Sequence, residues 1–170
     1  VYSLSGVTVT VNGKAAAVSG GIYVSAPVAL KEGSNTITVV ATDAFSQRVE
    51  KSVTVYRDTS APTVTLTRPV DGFISSSATV QFAGTVNDAS DVWVYVNNVA
   101  AARSGTAFSL NLTFSDGGHG IVVRAVDAAG NESAPILIDI TVDTVPPQEF
   151  EIHSDAESWV NNPTPTVTFQ

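Results

Sequence analysis

The chain has 170 residues, 44% apolar and 14% charged, with a net charge of −8 and a pI near 4.4. Eight scattered Lys and Arg offer no basic cluster, which excludes a phosphate-backbone surface and hence a nucleic-acid partner. The lack of Cys excludes disulfides and thiolate metal sites, and no apolar run reaches the length of a membrane span, so no membrane insertion is expected of this segment.

In chain order, the opening VYSLSG lacks the basic and apolar regions of a signal peptide, so the chain reads as a mature fragment or an internal segment. VTVTVNGKAAAVSGGIY at 7–23 then alternates with the period of two that marks half-buried strands. A second alternating run holds Ile37, Val39 and Ala41. Further strands are predicted at 63–67, 78–85, 91–97, 100–103, 107–114, 120–127 and 135–142. Between them stand PVDG at 69–72, NDAS at 87–90, Asn97-Asn98, SDGGHG at 115–120 and DAAGN at 127–131, whose Asn and Gly accept positive φ. No stretch has a helical period with caps. Seven short strands about ten residues apart describe a two-sheet Greek-key sandwich. The fold class is therefore all-β: tandem immunoglobulin-like or fibronectin-like sandwiches.

The pattern repeats. VTVTVNGKAAAVSGGIY aligns without a gap on VWVYVNNVAAARSGTAF at 92–108, an offset of 85 (92 − 7), and Asp58-Thr59 recurs as Asp143-Thr144 at the same offset (143 − 58). Val7, Val9 and Val11 match Val92, Val94 and Val96, and Ile37, Val39 and Ala41 match Ile121, Val123 and Ala125; all should face a core. The repeats divide the chain into residues 1–60, the later part of one unit without its first two strands, 61–145, a complete sandwich, and 146–170, the first two strands of another. In that tail FEI at 150–152 matches VTL at 64–66, and TVTF at 166–169 matches TVQF at 79–82. A half-sandwich with bare edges is unstable in water. Two readings follow: a window on a longer array, or a tail that completes the front of the next molecule in a head-to-tail filament.

DAAGNESAPILIDITVDTVPP at 127–147, with TDAFSQRVEKSVTVYRDTSAP at 42–62, resembles the junctions of bacterial immunoglobulin-like tandem repeats of surface adhesins, biofilm proteins and glycan-enzyme appendages. VNGKAAAV…GIYVSAPVALKEGSNTITVVATD resembles the modules attached to secreted carbohydrate enzymes. The resemblance implies an extracellular spacer at the bacterial cell surface, often rigidified by calcium. In the first unit FSQR at 45–48 replaces the AGNE of 129–132, which weakens a metal role for that loop.

Strand alternation carries the loops at 87–91 and 127–131 to the end nearest Asp58. Asp58, Asp88, Asp127 and Asn131 then converge on a candidate Ca2+ site, since hard cations take six to eight oxygens. Asp143 would act likewise at the next junction, with Asp155 or Glu157. The competing reading makes these residues turn and cap formers bonded to their own backbone. Trp93 and Tyr95 face outward if Val92, Val94 and Val96 face in, with Arg124 beside them, where the first unit has Thr8 and Thr10. That patch covers the sheet, contacts a neighbouring copy, or stacks a glycan. His119 and His153 have no nucleophile or acid pair set near them by the strand map, so no catalysis is expected. The sequence therefore points to a structural module, with glycan binding as the alternative.

Overall fold

The computed structural model describes residues 6–149 and the backbone of 152–154 and 167–169. The first unit contains β1 (Thr8–Val11), β2 (Lys14–Ala15), β3 (Ala17–Ser19), β4 (Ile22–Val24), β5 (Gly33–Thr42) and β6 (Arg48–Arg57). Its main sheet runs β2-β1-β5-β6, and β3 and β4 form a separate hairpin. The β1–β2 turn places Asn12 at φ 47° and Gly13 at φ 76°, the left-handed pair that a two-residue hairpin loop requires.

The second unit contains β7 (Thr63–Arg68), β8 (Phe73–Ser75), β9 (Thr79–Asn87), β10 (Val92–Val96), β11 (Val99–Ala100), β12 (Ala102–Ser104), β13 (Ala107–Thr113), β14 (Gly117–Asp127) and β15 (Ile136–Val142). One sheet runs β11-β10-β14-β15-β8 and the other β12-β13-β9-β7. Alternate residues of both point inward. Val80, Phe82 and Val86 meet Val92, Val94, Val96, Ile121, Val123, Ala125 and Ile140 in one buried cluster, with Val64 and Leu66 packed against it. This is a two-layer sandwich with its own closed core.

Gly84 makes the layering possible. A Cβ there would stand 2.0 Å from the Thr65 carbonyl oxygen and 2.8 Å from the Phe108 ring, so only a residue without one lets β7 and that ring lie against β9. The ladder between β7 and β9 shifts register between Leu66 and Arg68, at the same place.

Two elements depart from the sequence expectation. The strand expected at 100–103 is two strands in different sheets: β11 pairs with β10, β12 pairs with β13, and the chain crosses between layers at Ala101. β8 was not expected at all. It lies parallel to β15, with Phe73 opposite Ile140 and Ser75 opposite Val142, a non-local pairing that three residues of alternation cannot announce. In the tail, β16 (Ile152–Ser154) and β17 (Val167–Phe169) pair antiparallel.

Candidate functional site

Strand direction builds the junction between the units. Thr63 pairs with Asn87 and Val92 with Asp127, so the start of β7, the β9–β10 loop and the β14–β15 loop lie at one end of the second sandwich. There a carboxylate oxygen from each of Asp58, Asp88 and Asp127 falls within 4.8 Å of the others. The Asn131 side chain joins them: its Nδ2 donates to the Asp58 backbone carbonyl at 3.2 Å and to Asp127 Oδ2 at 2.8 Å. The structure therefore brings together Asp58, Asp88, Asp127 and Asn131, as the strand order read from the sequence requires. Asp143 stands apart, exposed, accepting a bond from the Val145 amide, and Asp155 and Glu157 lie outside the described residues.

Each carboxylate also builds its own turn. Asp127 Oδ1 accepts from the Ala129 and Asn131 amides, Asp88 Oδ2 from the Ser90 amide and hydroxyl, and Asp58 Oδ1 from the Ser60 amide. Asp127 is only 3% exposed. Burial opposes its charge, yet the bonds from the Asn131 side chain and the Asn131, Ala129 and Gly130 amides outweigh burial and hold its carboxyl below the ordinary value. An ion bound at about 2.3–2.6 Å has ligand oxygens no more than about 5 Å apart, so the three carboxylates fit a hard cation geometrically. Among the described residues no buried side-chain nitrogen or oxygen lacks a partner.

Asp43 of the first unit makes the same turn as Asp127. Its Oδ1 accepts from the Phe45 and Gln47 amides, and its own amide donates to the Gln47 carbonyl. FSQR thus leaves the loop geometry intact, with Gln47 standing where Asn131 reaches across in the second unit.

A second device was missed in the sequence. Glu32 Oε1 accepts from the Thr59 amide at 2.7 Å and its Oε2 from the Thr59 hydroxyl at 3.1 Å; Asp116 Oδ1 accepts from both the amide and the hydroxyl of Thr144 at 2.9 Å. A carboxylate in the loop before the long central strand pins the Thr that follows the last strand, once per unit. The signal was legible as an acidic residue recurring at an offset of 84 (116 − 32).

On the outer face Trp93 is 51% exposed and lies across from Val126, while Tyr95 lies across from Arg124. The Arg124 guanidinium sits 5.1 Å from the Tyr95 ring centre and bonds Glu132 Oε1 at 3.1 Å, so it covers that ring. Trp93 remains free, beside a hollow of about 380 Å3 that also holds the Asp91–Arg103 ion pair at 3.4 Å. His119 Nε2 donates to the Ser115 carbonyl at 2.8 Å, and its ring packs at a 44° tilt against Phe114, 4.9 Å between centres, a structural role within its turn.

These features have relatives. A family model described as glucodextranase, domain B, matches residues 4–59 and again 62–144. Bacillopeptidase F of Bacillus subtilis is 31% identical over 120 residues, and halomucin of Haloquadratum walsbyi 35% over 101. Those stretches are 69% and 55% of this chain but only 8% and 1% of the two curated relatives. Among solved structures, the fibronectin(III)-like modules of Clostridium thermocellum CbhA superpose with a TM-score of 0.53 at 20% identity, covering 84% of this chain and 81% of that one. The family match spans most of the chain in two successive stretches that meet at the Asp58 junction, and the chain belongs to the glucodextranase domain B family of immunoglobulin-like β-sandwiches.

Proposed function

We infer that this chain is a non-catalytic structural module of a secreted bacterial surface protein, a spacer that sets one sandwich after another. The observation that carries the reading is the junction: Asn131 of the second unit bonds the backbone of Asp58, while Glu32 of the first clasps Thr59 one residue on. Side chains that tie a linker to the units on both sides limit bending, the property a stalk needs. The small share of each curated relative that the chain spans suits a repeated part of a long protein. Small-angle scattering tests it: Asn131→Ala should widen the distribution of inter-unit angles. A wild-type chain already as freely hinged as the variant would remove the spacer role.

The same junction is the proposed Ca2+ site, with Asp58, Asp88 and Asp127 as ligands and Asn131 orienting them. A dication there would offset the repulsion of three clustered carboxylates and lock the linker. Asp143 would have the corresponding part at the following junction.

A second reading, glycan binding, is favoured by the free Trp93 ring beside the Asp91–Arg103 pair, since a sugar stacks one face on an indole and directs hydroxyls to charged groups. Tyr95 and Arg124, engaged with each other, would frame that surface. Affinity electrophoresis in gels holding soluble glucans decides: retention by the wild type and its loss in Trp93→Thr supports binding, and equal migration of both ends the reading.

A further inference from the structure

The first half of β15 has an open edge. Asp139 turns its main chain away from β14: its N–H donates to Asp71 Oδ1 and its C=O accepts from the Gly72 amide, both at 2.8 Å. In an antiparallel ladder the N–H and C=O of every second residue point to the same side, so those of Leu137 face the same way. β8 occupies that side of β15 only at 140–142. Among the described residues nothing bonds the Leu137 N–H or C=O, and the stretch 136–138 is a bare strand edge in the second unit.

A hollow lies on each side of this edge. The inner one, about 360 Å3, opens between the two sheets and is lined by Val64, Leu66, Val70, Ile136 and Ile138. The outer one, about 460 Å3, is lined by Gly120, Val122 and Leu137, with Asp71 and Asp139. Gly120 lies opposite Asp139 and Val122 opposite Leu137; at the same ladder positions the first unit has Thr36 opposite Thr54 and Thr38 opposite Ser52. The Thr38 and Ser52 hydroxyls bond each other at 3.0 Å, so the fold accepts small hydroxyl residues there. The second unit instead has a glycine that leaves the face hollow, two aliphatic side chains 41% and 69% exposed, and a carboxylate with Asp71 beside it. Among the described residues neither Asp71 nor Asp139 is in an ion pair, on a chain whose net charge is −8.

We propose that this edge takes an extended segment of a partner protein in which a Lys or Arg stands between two apolar residues. Bound to the Leu137 N–H and C=O, such a segment is one more strand of the sheet, and its side chains alternate as those of β15 do. The basic residue, level with Leu137, points outward. Its aliphatic stem covers Leu137 and Val122, and its cation reaches Asp71 and Asp139. The two flanking residues point inward, into the apolar hollow between β7 and β15. Main-chain bonds supply affinity, and two hollows of opposite character astride one edge supply register. The inference goes beyond the spacer reading and uses neither the junction nor the Trp93 surface; it gives the module a partner along its side.

Titration of the isotope-labelled chain with the blocked pentapeptide Thr-Val-Lys-Val-Thr, followed by NMR, tests it. A saturable shift of the Leu137 amide signal, and slower hydrogen exchange of that amide with peptide bound, support the contact. Replacing the Lys of the peptide by Glu should abolish the shift. Asp71→Asn with Asp139→Asn keeps the acceptor for the Asp139 amide and removes both charges, so affinity should fall about threefold to tenfold, the size of two exposed ion pairs. Gly120→Val fills the outer hollow and should weaken binding with the melting of the second unit unchanged, since a Cβ there meets only Asp139 Oδ1, at an ordinary 3.6 Å. A Leu137 signal unmoved at millimolar peptide overturns the proposal, as does equal affinity for the Lys and Glu peptides, or for the wild type and either variant. A Leu137 shift that depends on protein concentration without peptide also overturns it, by making a second copy the occupant.

Discussion

Phe82 has no exposed surface and meets the Phe114 ring at 6.1 Å between centres, at the middle of the second unit's core. Phe82→Ala should cost about 3–5 kcal/mol in urea unfolding of that unit, from lost transfer energy and an unfilled cavity. Gly84→Ala, two residues on, fails for the opposite reason: its Cβ needs space that Thr65 and Phe108 occupy, at about 3 kcal/mol of overpacking. An unchanged midpoint in Gly84→Ala would mean that β7 moves off β9 freely. Asp127 gives a prediction in pH. Its folded carboxyl titrates below the ordinary 3.8, so its contribution is complete above that value and is lost as pH falls through the lower folded value. The urea midpoint should therefore drop between pH 4 and pH 2 more steeply in the wild type than in Asp127→Asn. Equal slopes would show that Asp127 has no preference for the charged form in the folded state.

At the scale of elements, alternation identified most strands, and turn chemistry placed their ends. Asn97 and Asn98, read from sequence as a positive-φ turn, have φ of 46° and 65°. Alternation failed at the chain's crossing from β11 to β12 because two- and three-residue strands are too short to show which layer they join. The clasps show in the sequence only as an acidic residue recurring at an offset of 84 (116 − 32), and a lone acidic residue in such a loop is usually only solvated. They have a measurable effect. Asp116→Ala removes the acceptor for both the amide and the hydroxyl of Thr144, and should destabilise the second unit by about 1–2 kcal/mol, read from its urea midpoint. A change within error would mean that water replaces the carboxylate without loss.

At the scale of the whole molecule the proposed Ca2+ site at the junction gives a prediction. Calcium should raise the melting temperature and narrow the spread of inter-unit angles, and chelator should reverse both, while Asp58→Ala with Asp88→Ala abolishes the response. Melting and scattering curves unchanged by calcium would remove the ion and leave the Asn131 bond and the clasp to hold the junction. Alone, the amino-acid sequence determined the all-β class, the period of the repeat, the inward valines and isoleucines and the positive-φ turns, because these depend on residues that are neighbours in the chain. It also placed Asp58, Asp88, Asp127 and Asn131 at one end, since strands that reverse direction put alternate loops together. The tertiary structure alone decided that β8 lies parallel beside β15 and that Arg124 covers Tyr95 and leaves Trp93 free. Each depends on which strands pair across long loops, and a local pattern of apolar and polar residues carries no information about a partner strand far away in the chain.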